Sequence, residues 1–523
     1  MLKSARLLLA RKSYREAHAQ CIEALKTDPA NGEAFFLLGV LTSDHRNFAK
    51  ALELFERARQ AGYDRADLYA ETARCLIELG RRDEAVSVIS AAIAQNPNDG
   101  QTLDTIGVVL SHAGRHEEAV AFYKRAATAA PGNPEIQYNL GAALQFMGEF
   151  DDARHAFDKA LQMTPDMTRA RIARVSITRQ TPEQNELDEL QAAWNARNVS
   201  NPDEALQLAH ALAKTSEDLE DPAQAMKWLA IGKAEKAAQI PDRSDADTKC
   251  FAAAEALASA LRIETGTGAN GAIFVTGLPR SGTTLVDRIL SSHSAVTSGG
   301  ELSDFSVALK RAARTPGQLV LDPETLLAAQ SVDLASVGNT YLRVVWDTLG
   351  LTGRFIDKMP LNTFFVPAIL AALPGARVIC LRRHPADSML SIYRQLFATS
   401  FSYYRYSYDL EATANYVAAF NQLIQQYEAI LPPDRFTIVD YETLVDQTEA
   451  ETRRMLAHCG LPFETACLSF HESKAPVATA SATQVRRPIY RTSLGRWKSY
   501  RPAIDPGLDI LSRNGLIDPS ELF

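Results

Sequence analysis

A chain of 523 residues is long for one core, and at ~100 to 200 residues per domain it predicts two to four domains. Apolar residues at 46% and charged residues at 23% describe an ordinary globular protein, while the formal net charge of −8 excludes a general nucleic-acid or membrane-surface binder, which would carry a basic excess. Any anion site must therefore be local, and the six scattered cysteines, none in a CxxC pair, exclude that kind of metal or redox motif and fit a reducing compartment.

Near the start, Leu7-Leu8-Leu9-Ala10 is too short for a secretory apolar segment and runs directly into Arg11-Lys12, and no stretch reaches the ~18 apolar residues of a membrane span. A cytoplasmic protein without a membrane span is the expectation. From there alanine keeps a beat of 34 residues, at Ala17, Ala51, Ala85, Ala119 and Ala153, and again at Ala24, Ala58, Ala92, Ala126 and Ala160. Glycine keeps it at Gly39, Gly107 and Gly141, with Ala73 in the gap, and at Gly80, Gly114 and Gly148; proline closes units at Pro97, Pro131 and Pro165. A generic helical bundle gives no reason for a fixed period, whereas stacked helix pairs need small residues wherever helices approach closely. Over residues 1–165 the pattern resembles the tetratricopeptide repeat, which implies an α-solenoid whose concave groove holds a protein partner or substrate.

Residues 166–265 stay rich in Ala, Leu, Glu and Lys, and "ALQLAHALAKTSEDLEDPAQAMKWLAIGKAEKA" reads as one more helix pair, with degraded spacing, in a helical connection. Thr265-Gly266-Thr267-Gly268-Ala269-Asn270-Gly271 is a turn-rich break, which places a second domain at 266–523. There, β-rich runs at 273–276, 354–356, 377–381 and 436–439 alternate with helical patterns, predicting an α/β domain with a central parallel sheet and helices on both faces. Ligands of such sheets sit at the C-terminal ends of the strands.

Gly277-Leu278-Pro279-Arg280-Ser281-Gly282-Thr283-Thr284 stands at such an end. Its glycines have the G-x-x-x-x-G spacing of a phosphate-binding loop, followed by Thr-Thr where nucleotide hydrolases carry Lys-Ser or Lys-Thr. Backbone amides and the following helix N-terminus bind phosphate with or without that lysine, which normally reaches the β and γ phosphates. A donor lacking those phosphates has no use for it. The stretch resembles the 5′-phosphosulfate loop of sulfotransferases that use 3′-phosphoadenosine-5′-phosphosulfate, and so implies a P-loop-type α/β sulfotransferase domain. On that resemblance Arg280 supplies the missing charge, and Ser281, Gly282, Thr283 and Thr284 hold the 5′-phosphate.

Three further stretches carry the same resemblance. "ICLRRHPADSMLSIYRQ" is similar to the family's 3′-phosphate motif through Arg383 and Ser391, eight residues apart, with Arg394 one place out of register. "VDYETLV" matches the segment whose tyrosine, here Tyr441, lies against the adenine. "SATQVRRPIYRTSLGRW", residues 481–497, resembles the nucleotide-covering segment of the tyrosylprotein sulfotransferases and their bacterial relatives, with Ser481, Gln484, Val485, Arg487, Pro488 and Trp497 in matching places and Arg496 where the family has lysine. Arg486, Arg487, Arg491, Arg496, Lys498 and Arg501 fall within sixteen positions of an acidic protein, which suits a doubly phosphorylated ligand.

Sulfuryl transfer to a hydroxyl needs a base for the acceptor proton and positive charge at the oxygen that leaves. The resemblance gives these roles to Glu301 and to Lys358, in "FIDKMP", with Ser481 donating to the same region, and it implies no metal. His293 is the second candidate base, because the cytosolic small-molecule branch uses a histidine. Leu302-Ser303-Asp304-Phe305 follows Glu301 where tyrosylprotein enzymes carry basic residues for acidic peptide, so a peptide tyrosine and a carbohydrate hydroxyl both stay open as acceptor. "FSYYRYSYDLE", from Phe401, reads either as an aromatic wall of the acceptor cleft or as core packing. Together the two halves resemble bacterial tetratricopeptide-containing sulfotransferases. A kinase or hydrolase on the same loop, with Asp357 and Asp440 as magnesium ligands, and an inactive repeat scaffold are the rival readings.

Overall fold

The 34-residue beat has a steric cause in the computed structural model, which describes residues 1–266, 271–348, 350–351, 353–399, 402–472, 489 and 491–522. Met1–Thr178 form one unit of paired helices, among them Gly32–Asp44 with Phe48–Gln60, Ala66–Glu78 with Arg82–Ala94, Gly100–His112 with His116–Ala129, and Pro134–Met147 with Phe150–Met163. In three of these pairs a glycine of the first helix faces an aromatic ring of the second. A Cβ on Gly39, Gly107 or Gly141 would stand 2.4 Å from the Phe55 ring, 2.7 Å from Tyr123 or 2.6 Å from Phe157. In the remaining pair the ring position holds Ile89, and there Ala73 shares its core. A ring demands a hydrogen opposite; an aliphatic side chain leaves room for a methyl.

Gly107→Ala is therefore expected to destabilise this unit by about 1 kcal/mol, overpacking outweighing the gain in helix propensity. Adding Tyr123→Ile should recover the loss. Urea unfolding of both single variants and of the pair measures that coupling.

The second unit, Arg179–Phe523, is built on a five-stranded parallel sheet of β1 (Ala272–Gly277), β2 (Val296–Ser298), β3 (Arg354–Lys358), β4 (Arg377–Arg382) and β5 (Phe436–Asp440), in the order β2-β3-β1-β4-β5. The sequence predicts four of these strands. β2 spans three residues, too few to leave a pattern, and is held by its ladder to β3, Val296 opposite Arg354. Strand residues alternate between two cores: Phe274, Phe355, Val378, Cys380 and Phe436 enter one, while Ile273, Val275, Ile356, Ile379, Leu381 and Val439 enter the other. Burial on both faces is why these strands read as unbroken apolar runs. The first core also takes Met226 and Leu229 of the helix Pro222–Ala237, and Phe251, Ala254 and Leu257 of the helix Ser244–Ala260, so helices that precede the sheet in sequence complete it.

All six cysteines are buried free thiols, Cys21 and Cys75 in the first unit and Cys250, Cys380, Cys459 and Cys467 in the second. Burial pushes Cys21, Cys75 and Cys467 up to about 11 and Cys250 and Cys459 up to about 12, and moves Cys380 in the same direction. Among the described residues no helix is long and apolar enough to cross a membrane.

Candidate functional site

β1 is the middle strand, so the turn that leaves it has a strand end on either side, β3 and β4. Gly277, at φ +143°, passes so close to β4 that a Cβ would stand 2.7 Å from the Leu381 carbonyl oxygen; at Gly282, φ +108°, a Cβ would stand 2.6 Å from the Tyr441 ring. Neither position admits a side chain. Between them Arg280 holds φ 67°, a conformation that costs an L-residue energy and recurs at functional turns. The helix Thr283–Ser291 follows directly and has no side-chain cap. Thr283 and Thr284 are buried at its start, and Ser281 Oγ is buried with no hydrogen-bond partner among the described residues. An orphaned hydroxyl beside an uncapped helix N-terminus fits an anion, whose oxygens accept from both.

On the β4 side, Arg383 ties three segments together. Its Nη1 donates to the Arg280 carbonyl at 3.1 Å, its Nη2 to the Ser493 carbonyl at 2.7 Å, and its guanidinium lies 4.9 Å from the centre of the Tyr441 ring, while its buried Nε has no partner among the described residues. The Tyr441 hydroxyl lies 3.1 Å from Ser493 Oγ. Arg280, Gly282, Arg383 and Tyr441 thus share one place, with Ser493 beside them; a single serine in a polar stretch carries no sequence signal. Asp387 also escaped the sequence reading. Its carboxylate accepts from the amides of Gly495 at 2.7 Å and Trp497 at 3.0 Å and so anchors the C-terminal segment on the helix Pro385–Tyr393. Ser391, on that same helix, is half-buried, and its hydroxyl makes no hydrogen bond among the described residues. Arg496 lies 3.5 Å from the Glu217 carboxylate and 3.3 Å from the Tyr500 hydroxyl, and Arg394 is paired bidentately with the same Glu217. Ser481, Gln484 and Arg487 lie outside the described residues.

On the β3 side, Lys358 ends its strand, is 1% exposed and is ion-paired with Glu301, whose side chain is 41% exposed. Backbone pairing sets the two opposite each other, Gly299 N to Ile356 O and Lys358 N to Gly300 O, both at 2.8 Å, extending the β2–β3 ladder past the end of β2. Ser298 Oγ donates to Asp287 Oδ1 of the loop helix at 2.7 Å. Burial pushes the Asp287 carboxyl up, and Ser298 and the charge of Lys358 act against it. Asp287 was visible in principle, as an acid on the buried side of "TTLVDRILS". Burial first, and the charge of Glu301 next, push the Tyr404 hydroxyl up to about 12. Tyr404 stacks on Phe397 with ring centres 4.3 Å apart. The arrangement is a buried ammonium holding a carboxylate that stays open to solvent: one group to stabilise an anion, one to accept a proton.

His293 is differently placed. It is 3% exposed, its Nδ1 accepts from Ala295 N at 3.0 Å, and its Nε2 lies 3.1 Å from the Pro462 carbonyl, so neither nitrogen is left for an acceptor. Of the two carboxylates at strand ends, Asp440 pairs with Arg382 at 2.5 and 2.9 Å, and Asp357 is 0% exposed, its Oδ2 accepting from the Tyr341 hydroxyl at 2.9 Å.

Burial pushes the Asp357 carboxyl up to about 8. From about pH 4 to about pH 8 the unfolded chain has released a proton that the folded chain keeps, so this group's contribution to stability falls as pH rises through that window and levels off above it. Asp357→Asn should flatten the slope and gain more than ~1 kcal/mol at pH 8 relative to pH 5, read by urea unfolding at both values.

Residues 272–465 match the sulfotransferase family, and residues 44–103 and 110–176 match the tetratricopeptide repeat. An uncharacterized protein of Aquifex aeolicus (strain VF5) is 34% identical over 246 residues, 46% of this chain and 32% of its own. A protein-tyrosine sulfotransferase of Drosophila melanogaster is 21% identical over 271 residues, 48% of this chain and 53% of its own. The chain thus spans about a third and about half the length of these relatives. The sulfotransferase domain from the curacin biosynthetic pathway is 18% identical with a TM-score of 0.33, over 49% of this chain and 100% of that domain. The chain carries tetratricopeptide repeats followed by a domain that matches the sulfotransferase family.

Proposed function

We propose that the protein transfers a sulfuryl group from 3′-phosphoadenosine-5′-phosphosulfate to a hydroxyl acceptor, a peptide tyrosine or a carbohydrate. The observation that carries this is the placement, at the C-terminal ends of the adjacent strands β1 and β3, of an anion cradle with an orphaned Ser281 hydroxyl and the Glu301–Lys358 pair. Arg280, Ser281, Gly282, Thr283 and Thr284 hold the 5′-phosphate. Arg383 and Ser391 hold the 3′-phosphate, and Tyr441 lies against the adenine. Gln484, Arg487 and Arg496 bind the nucleotide, and Ser481 donates to the same leaving oxygen that Lys358 stabilises. Glu301 takes the acceptor proton, and Lys358 stabilises negative charge on the bridging oxygen as the bond to sulfur breaks. No loop lysine is needed, because the donor has no γ-phosphate. The repeats bind a protein or peptide in their groove.

A kinase or hydrolase reading is less well supported, because Asp440 is paired with Arg382 and Asp357 is fully buried against Tyr341. Titration with 3′,5′-adenosine bisphosphate tests the donor half, and absence of binding at millimolar ligand sinks it. Sulfate transfer from labelled donor to a panel of tyrosyl peptides and oligosaccharides tests the rest. Magnesium-dependent turnover of ATP, lost in Thr284→Ala, would favour the rival.

A further inference from the structure

We infer that Lys233, on the helix Pro222–Ala237 ahead of the sheet, is a positioning residue that holds the Gln395 and Ser407 carbonyls and, through them, the Tyr404 ring of the acceptor cleft; this rests on the acceptor site proposed above. Lys233 is 0% exposed. Its Nζ donates to the Ser407 carbonyl at 2.9 Å and, at 3.5 Å, reaches the Gln395 carbonyl, twelve residues earlier. The Tyr393 and Tyr408 rings flank it at 5.1 and 5.4 Å. No ion pair to it is found among the described residues, and burial pushes the ammonium down to about 7.

Burying an amine without a counter-ion disfavours folding, and a methionine would fill the same length without that penalty. What lysine adds is a set of N–H donors for two carbonyls that close one segment. Between those ends Phe397 and Tyr404 stack, and Tyr404 lies in the field of Glu301. Drawing the ends together therefore fixes Tyr404 relative to the base, and an acceptor held against that ring depends on a residue that never touches it. The helix Pro202–Asp218, which packs on Pro222–Ala237, grips this region a second time, through Glu217 on Arg394.

Lys233→Met in the full chain keeps the volume and removes the donors. Amide hydrogen exchange over residues 403–408 is expected to speed up at least about tenfold. KM for a tyrosine-containing peptide should rise about tenfold, with kcat and 3′,5′-adenosine bisphosphate affinity within about twofold of wild type. In a Tyr404→Ala background the same substitution should change KM by less than about twofold, since the ring it positions is gone. Unchanged exchange, or an equal KM effect with and without Tyr404, overturns the inference. Should Lys233→Met fail to fold, Lys233→Gln, shorter and with an amide donor, is expected to move both readouts in the same direction by less; no change in either overturns the inference. Exchange reads the pinning without turnover, so a chain that loses protection in Lys233→Met but transfers no sulfate overturns the transferase reading and leaves the pin standing.

Discussion

Glu301→Gln is expected to lower turnover by ~10²- to 10⁴-fold, the usual cost of losing a general base. The amide keeps the size and the hydrogen bond to Lys358, and the side chain is partly open to solvent, so the fold should tolerate the change. Affinity for 3′,5′-adenosine bisphosphate should stay within about twofold, because the cradle at 280–284 and Arg383 lie on the other strand ends. The companion variant separates the two candidate bases. His293→Ala removes a buried ring with both nitrogens engaged, so it should lower the unfolding midpoint while leaving kcat closer to wild type than Glu301→Gln does. A dead histidine variant beside a glutamine variant with near-full turnover would reverse the assignment.

Lys358→Met should cost about 10²- to 10³-fold in kcat, the range seen when one preorganised stabiliser of developing charge is removed. Methionine fills the buried space, and the carboxylate it abandons is already partly hydrated, so the loss should appear in turnover more than in stability. The double variant Glu301→Gln with Lys358→Met is the sharper measurement. If the pair acts as one unit, the double variant is no slower than the worse single by more than about threefold. Multiplying losses would mean that the two groups contribute independently. Steady-state rates with labelled donor, at saturating donor, read both outcomes.

The elements that the sequence disclosed are those whose cause is local. The repeats were legible because a ring on one helix and a glycine on its neighbour recur with the chain's own period, and four strands were legible because burial on both faces leaves an unbroken apolar run. β2 was not, since three residues carry no periodicity and its position is imposed by β3. In the site, the turn at 277–284 was readable because close approach to Leu381 and Tyr441 forces glycine at fixed spacing. Ser493, Asp387 and Ser298 were not, because each acts by a pair of hydrogen bonds, most of them to groups distant in sequence, and such bonds select no distinctive residue. Lys233 is the extreme case: its partners are carbonyls, which every residue has.

The six buried thiols turn the chain into its own reporter of opening. A thiol reacts with an alkylating reagent as thiolate and on contact, and here both conditions are denied to every cysteine. Labelling in native buffer must then wait for a local or global excursion, so its rate at a given position measures how often that part of the structure comes apart. Cys21 and Cys75 clock the repeats, and Cys250, Cys380, Cys459 and Cys467 clock the sheet and its helices, so mass spectrometry of timed iodoacetamide samples gives a separate breathing rate for each half without adding a single probe.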